Sequence, residues 1–149
     1  MTELSTSIVD EDVHKEMMKT VLNEFRKQGF TNIKANVENM TTPEKVDDHT
    51  PDLTCNRNDK QQEFIILEVE TCNTITLEQS KEKWRAFYRK SKDMKGEFHL
   101  AVPKFCNGSS GRTLANQRLE QLQLKANCVW AVNGDLQHIA MRAKARKSD

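Results

Sequence analysis

Three carboxylates lie close together in the sequence around one apolar stretch. Asp52 follows Pro51, and Glu68 and Glu70 stand on either side of Val69 where the stretch ends. Residues two apart in a β-strand face the same side, so we expect Glu68 and Glu70 on one face. Burying two like charges is costly, and a divalent cation with hard oxygen ligands offsets that cost. A strand end that simply emerges into water is the alternative explanation.

Charged residues are unevenly distributed, although the net charge of the 149-residue chain is only +1. Residues 1–24 contain six acidic residues and two lysines, whereas residues 76–95 contain seven basic residues and three acidic ones. A local basic face can bind a polyanion even when the whole chain is almost neutral. The candidates for nucleic-acid binding are Lys81, Arg85 and Arg89. A basic helix face that is merely solvated is the alternative.

The length of the chain predicts one domain, residues 1–149, with loose termini at 1–9 and 142–149. We expect no membrane partner, because no stretch approaches the roughly 18 apolar residues of a membrane span. No basic region followed by an apolar core begins the chain, so a cytoplasmic location is expected. No CxxC pair occurs among the cysteines, which we expect to be free thiols in a reducing compartment. They are Cys55, Cys72, Cys106 and Cys128.

The spacing of apolar residues predicts the first half of the fold. A period of three and four residues indicates an amphipathic helix over about 13–28, and alternation indicates a strand over 30–38. A hairpin follows, with a short strand after Pro51 and a central apolar strand over 64–69. His14 falls on the apolar side of the helix and Glu24 at its edge. A hydrogen-bonded core histidine and a solvated carboxylate are the alternatives for these two residues.

The second half alternates helices with strands. Thr76 is the expected cap of a helix to about residue 93, with Gln79 at the capping-box position and Trp84 and Tyr88 in the core rather than stacked on bases. A strand over 97–103, a helix over 112–126 and strands over 128–132 and 136–141 follow, the last two joined by Asn133-Gly134-Asp135. The order α-β-β-β-α-β-α-β-β predicts an α/β fold with at least one parallel strand pair.

Pro51-Asp52 and Glu68-Val69-Glu70, framed by these elements, resemble the PD-(D/E)XK, or restriction-endonuclease-like, nuclease superfamily in its small stand-alone members. The resemblance covers roughly residues 10–133. It implies a three-layer fold with a central mixed sheet flanked by helices. It also implies that Asp52, Glu68 and the Val69 carbonyl bind Mg²⁺, with Mn²⁺ as a substitute, and that metal-activated water cleaves nucleic acid, DNA rather than RNA.

Glu70 departs from the family pattern, because lysine is usual at that position and assists the attacking water. Lys83 or Lys81, on the following helix, is the expected replacement. Glu70 would orient the water or hold a second metal, and His14, Glu24 and Gln79 are possible supporting residues. Many such nucleases act as dimers, so a homodimer is one expected assembly. Two alternatives remain open: an inactive relative that binds nucleic acid or protein, and an unrelated α/β interaction domain with surface acids.

Overall fold

The computed structural model describes residues 2–132, with side chains from Asp10 onward. The strand expected over 136–141 and the tail over 142–149 lie outside these residues. In chain order the elements are α1 (Thr2–Lys27), β1 (Thr31–Ala35), β2 (Leu53–Asn56), β3 (Phe64–Val69), α2 (Glu78–Asp93), β4 (Glu97–Pro103), β5 (Phe105–Cys106), β6 (Ser109–Ser110), α3 (Gly111–Leu122) and β7 (Cys128–Val132). None of the described helices is long and apolar enough to cross a lipid bilayer.

Five strands form one mixed sheet in the order β1-β2-β3-β4-β7. The first three form an antiparallel meander, and β3, β4 and β7 run parallel to one another. The helices α2 and α3 make the two crossovers that parallel neighbours require. The predicted α/β class with a mixed, helix-flanked sheet is therefore confirmed.

Each face of the sheet has its own core. Side chains of α1, including Met17 and Phe25, pack against one face, to which Leu67 also belongs. Trp84 and Phe87 of α2 pack, together with residues of α3, against the other face. Each fully buried side chain of this size contributes about 1.5–3 kcal/mol of hydrophobic stabilisation. Alternate residues of β3 serve opposite cores, which is the periodicity of a strand covered on both sides.

The helix ends differ from the sequence predictions. Residues 1–9 are not a loose arm, because α1 begins at Thr2 and the first residues contain no proline or glycine to prevent it. Thr76 does not cap α2. The N-cap is Leu77, which makes no side-chain capping hydrogen bond, and its N–H donates to the Thr74 carbonyl in a turn that delays the helix. Gln79 therefore occupies the second helical position rather than the third.

The third helix ends four residues earlier than the predicted 126. Gln123 adopts a left-handed conformation with φ 58°, and the N–H of Leu124 returns to the Leu119 carbonyl. This αL ending satisfies the last carbonyls and stops the helix without a glycine. The segment between β4 and α3 contains the small antiparallel pair β5–β6.

A disulfide joins Cys72 to Cys106, so the prediction of free thiols is wrong for these two residues. Cys55 and Cys128 are free. Cys72 and Cys106 are 34 residues apart in the sequence. Parallel pairing of β3 with β4 brings the segments that follow these strands to the same end of the sheet. This proximity depends on the strand order of the sheet, so the spacing of the cysteines in the sequence does not predict it.

Candidate active site

The three carboxylates predicted as a site lie at one end of the sheet, between α1 and α2. Asp52 immediately precedes β2, and the pairing of Leu53 with Leu67 brings it beside Glu68 on β3. Glu70 follows β3 directly. Asp52 is 8% exposed, and Glu68 and Glu70 are each 3% exposed. The alternative of a strand end emerging into water is therefore excluded.

Asp52 and Glu68 are joined by a pair of hydrogen bonds through the backbone. The Val69 N–H donates to Asp52 Oδ2 at 2.8 Å, and the Asp52 N–H donates to Glu68 Oε1 at 3.2 Å. Two buried acids thus lie side by side, each fixed by a main-chain donor of the other's strand. Main-chain donors hold carboxylates more rigidly than mobile side chains do, so this pair is preorganised.

His14 of α1 approaches the pair from the opposite side to α2. Its Nε2 atom lies 3.3 Å from Asp52 Oδ2. Burial alone lowers the pKa of His14, but the hydrogen bond and charge of Asp52 outweigh burial and raise that pKa above its usual value. The structure thus brings His14 to the site beside Asp52, whose carboxylate stabilises the protonated imidazole relative to that of a free histidine.

Lys83 of α2 is the ammonium group in contact with the cluster. Its Nζ atom lies 3.7 Å from Glu68 Oε2. Burial raises the pKa of Glu68 well above its usual value, and the charges of Asp52 and Glu70 raise it further, whereas Lys83 lowers it. The positive charge of the partly exposed Lys83 therefore does not balance the negative charge of the carboxylates around it.

Glu70 is held by a donor from α2. The Trp84 indole N–H donates to Oε2 at 2.7 Å. The Ser80 oxygen lies 3.2 Å from Oε1, but its single proton is directed to the Thr74 carbonyl at 2.6 Å. Burial raises the pKa of Glu70, while hydrogen bonds from Thr74 and Trp84 act against that rise and the charge of Asp52 adds to it. The Trp84 N–H thus fixes the Glu70 carboxylate against α2.

Negative charge is in excess in this cluster. Three buried carboxyl groups face one ammonium at 3.7 Å and one imidazole at 3.3 Å. Within residues 2–132, no group of three His, Cys, Asp or Glu side chains has the spacing of a metal site. Each carboxylate is instead turned to a protein donor. The unbalanced charge and the hard oxygen donors are nonetheless those that suit a divalent cation.

Other predicted residues are not brought to the carboxylates. Glu24 lies ten residues beyond His14 on α1, which is about 15 Å along the axis, and it accepts a hydrogen bond from Gln28. Gln79 is exposed, and Lys81 forms an i,i+3 ion pair with Glu78. None of these three has a described contact with the site.

Arg85 and Arg89 are also away from the carboxylates. Arg89 forms an exposed ion pair with Asp47 at 3.2 Å, which ties α2 to the loop between β1 and β2. Arg85 is half-buried on the same helix. These residues belong to the surface of α2 rather than to the cluster.

Ser80 and Trp84 are functional neighbours that sequence reasoning missed. Trp84 was expected in the core, and it is fully buried, but its N–H also serves Glu70. The available signal was spacing, because residues 80, 83 and 84 share one side of a helix. A helix that presents Lys83 to Glu68 must also present Ser80 and Trp84 to that side.

No family model, curated protein or solved structure matches this chain. Its function has to be argued from the geometry of the carboxylate cluster and from the charges around it.

Proposed function

We propose that the protein is a Mg²⁺-dependent nuclease with a restriction-endonuclease-like fold that hydrolyses phosphodiester bonds, in DNA rather than RNA. One observation carries the proposal: the buried carboxylates of Asp52 and Glu68 converge with the partly exposed ammonium of Lys83 at the end of the meander, where negative charge exceeds positive charge. Such a cluster is costly in a protein that does not use it. Nuclease chemistry needs negative ligands for a metal and a nearby cation for the phosphate.

The ligands for Mg²⁺, or for Mn²⁺ in its place, would be Asp52, Glu68 and the Val69 carbonyl. The hard oxygen donors of two adjacent carboxylates suit Mg²⁺ or Mn²⁺, and the bound ion would neutralise their excess negative charge. The ion would supply Lewis acidity and lower the pKa of the attacking water. The reciprocal Asp52–Glu68 hydrogen bonds hold the two carboxylates side by side in the absence of an ion.

Lys83 takes the part of the lysine that family members carry at the position of Glu70. Its ammonium comes from α2 and lies beside Glu68, so it is placed to donate to a phosphate oxygen or to the attacking water. Lysine is a compact charge with several rotatable donors, which suits that task.

Glu70 acts as a positioning residue rather than as a base. The Trp84 N–H holds Oε2, and the side chain is 3% exposed, which leaves the carboxylate little access to a water. Its negative charge and its contact with α2 hold the helix that presents Lys83. His14, whose Nε2 lies 3.3 Å from Asp52 Oδ2, orients that carboxylate from the other side.

A second candidate function is a catalytically inactive module of the same fold that binds nucleic acid or protein. The hydrogen bond from Trp84 to Glu70 favours this candidate, because the residue at the usual lysine position serves here to anchor α2. A homodimer is proposed as the assembly under either function. The cytoplasmic location stays a prediction, and the Cys72–Cys106 disulfide disfavours it, because disulfides are rare in reducing compartments.

The experiment that tests the nuclease proposal compares wild type with Asp52→Asn/Glu68→Gln. Titration calorimetry with Mn²⁺ and cleavage of mixed single- and double-stranded DNA are both measured. Removing a residue that only hydrogen-bonds to a metal ligand lowers metal affinity or activity about 10–100-fold. Removing two ligands should therefore lower cleavage by at least about 100-fold and abolish Mn²⁺ binding. Glu24→Gln, which removes a carboxylate elsewhere on the surface, is the matched control and should change neither.

Absence of Mn²⁺ binding and of cleavage in wild type, with salt-sensitive DNA binding retained, would favour the inactive module. Cleavage that survives in the double variant would exclude the cluster as the active site.

A further inference from the structure

A small cavity lies on the α2 side of β1 and β2, away from the carboxylate cluster. Its volume is about 180 Å³. Three lysines line it, and Thr54 and Ile66 form part of its floor. We name it the lysine pocket, after Lys34, Lys45 and Lys90.

Each lysine of the pocket comes from a different element. Lys34 belongs to β1, Lys45 to the loop between β1 and β2, and Lys90 to α2. Within residues 2–132 none of the three forms an ion pair, and Glu44 is the acidic residue in the lining. Like charges gathered around a cavity repel one another, and a bound anion relieves that repulsion. The fold has therefore assembled a positively charged cavity from distant parts of the chain.

The size of the cavity limits the anion. Pockets for drug-sized ligands measure roughly 300–1,000 Å³, so this cavity is too small for a nucleotide. Its volume equals that of about six waters at roughly 30 Å³ each. A single phosphoryl group, met by ammonium groups and the Thr54 hydroxyl, fits these limits.

The lysine pocket and the carboxylate cluster lie along the same side of α2. Lys83, beside Glu68, and Lys90 are seven residues apart, which is almost two full turns and about 10 Å along the helix. On the sheet, Thr54 follows Asp52 by two residues and Ile66 precedes Glu68 by two, so all four share one face. The rise of about 3.4 Å per nucleotide is measured along the duplex axis, and successive phosphates of one strand lie farther apart than this, so a separation of about 10 Å spans roughly one to two phosphates.

We propose that the lysine pocket binds an internal backbone phosphate of the substrate strand, one to two nucleotides from the phosphate that is cut. This inference rests on the proposed nuclease function for its choice of ligand. It implies that the shortest good substrate spans both sites, so a dinucleotide is a poor substrate and an oligonucleotide of about four residues is a good one.

The test compares two triple variants with the same net charge. Lys34→Gln/Lys45→Gln/Lys90→Gln removes the pocket charges, and Lys27→Gln/Lys60→Gln/Lys125→Gln removes three exposed lysines elsewhere. Fluorescence anisotropy measures binding of a labelled 12-nucleotide single strand, with Ca²⁺ in place of Mg²⁺, over a range of salt. The pocket variant should bind at least about tenfold more weakly, with a salt slope reduced by about 0.7, the value for one phosphate contact on a single strand. The control variant should change affinity less than threefold.

Equal loss of affinity in both variants would overturn the proposal, because it would show a general charge effect. The same oligonucleotides are measured with and without a 5′-phosphate. A pocket effect that appears only with the terminal phosphate would overturn the assignment to an internal phosphate.

Two further measurements separate the failure of this inference from the failure of the nuclease proposal. Mn²⁺ binding and cleavage by wild type, with no difference between the triple variants, would overturn the pocket alone. Titration with inorganic phosphate, followed by the amide NMR signals of Thr54 and Lys90, reports on the pocket without any nuclease activity. Shifts that vanish in the pocket variant would support the pocket even if wild type neither binds Mn²⁺ nor cleaves DNA.

Discussion

Trp84 shows how one buried donor links the fold to the site. Its indole ring is fully buried in the α2 core, and its N–H meets Glu70 Oε2 at 2.7 Å. Trp84→Phe keeps an aromatic ring but leaves that oxygen without its donor. A buried acceptor that loses its partner costs about 1–3 kcal/mol, and the lost ring volume adds to this. We expect the free energy of unfolding in urea to fall by about 2–4 kcal/mol.

A double-mutant cycle with Glu70→Leu isolates the contribution of the hydrogen bond. Once the carboxylate is gone, Trp84→Phe should cost less than it does in wild type. Strictly additive effects of the two substitutions would contradict a coupled pair.

His99 gives the protein a pH response that is separate from the carboxylate cluster. Its Nδ1 accepts the Trp130 indole N–H at 2.9 Å, so the ring proton is on Nε2, which faces Glu97 at 2.7 Å. Protonation of His99 would place an N–H on Nδ1, where it would face the Trp130 N–H with no acceptor between the two donors. Burial lowers the pKa of His99, and Glu97 opposes that change without cancelling it. The folded protein therefore holds the ring neutral.

A lowered histidine pKa means that the unfolded chain takes up the proton first. The stability that neutral His99 contributes is present above its usual pKa of 6.5 and declines as the pH falls below that value. The cost of His99→Gln, measured by urea unfolding, should therefore be larger at pH 7 than at pH 5. His14→Gln should show the opposite trend, because the His14 pKa is raised and its contribution is lost as pH rises. Equal costs of His99→Gln at both pH values would contradict this account.

Among single residues, the sequence was most informative where strand periodicity applied. Two-residue spacing was enough to expect Glu68 and Glu70 on one face, and Lys83 was expected from the helix that follows. Glu24 was proposed as a supporting residue because it is an acid of the first helix, but helix periodicity gives an angle around the helix and no distance along it. Ser80 was missed because a serine in a basic helix carries no signal of its own.

The junction between β6 and α3 depends on a close backbone approach. A Cβ atom built on Gly111 would overlap the Pro103 carbonyl oxygen, which belongs to the rigid end of β4. Gly108, in the turn between β5 and β6, has φ +85° and open space around it. We expect Gly111→Ala to cost about 3 kcal/mol, because backbone atoms must move. Gly108→Ala should cost about 1 kcal/mol, from conformational strain alone. Chemical denaturation of both variants measures the difference, and equal costs would contradict the overlap.

The strands were easier to place than the helix ends. Alternation marked β1, and an unbroken apolar run marked β3, because these patterns follow directly from which faces are covered. The start of α2 was decided by turns around Thr74, and the end of α3 by a left-handed Gln123. The capping residues, Leu77 and Gln123, are not of the types favoured at helix ends, so only the surrounding contacts determine where these helices begin or end.

The order of strands and helices was sufficient to predict the class of the whole molecule. A meander followed by strands separated by helices leaves few arrangements other than a mixed sheet with helices on its faces. The disulfide could not be predicted, since it depends on which strand ends meet in space. The lysine pocket could not be predicted either, because its residues come from three separate elements.

The disulfide should contribute to the stability of the whole molecule. Closing a loop with a separation of 34 residues restricts the unfolded chain and is worth about 3–4 kcal/mol in the chain-entropy model. Oxidised wild type should therefore lose stability in urea when dithiothreitol is added. Cys72→Ser/Cys106→Ser should be as stable as reduced wild type, and dithiothreitol should not change its stability. Cys128→Ser should lose stability on reduction, as wild type does. Insensitivity of wild type to the reductant would contradict the bridge.

The same bond makes a covalent ring of the segment between Cys72 and Cys106, with all of α2 inside it. A protease that cuts once within this ring opens it but releases no fragment, so the nicked chain keeps its full mass until a thiol is added. The helix that carries Lys83 then stays attached on both sides of the cut. A preparation assayed with a thiol in the buffer and one assayed without it are consequently two different covalent molecules that share one sequence.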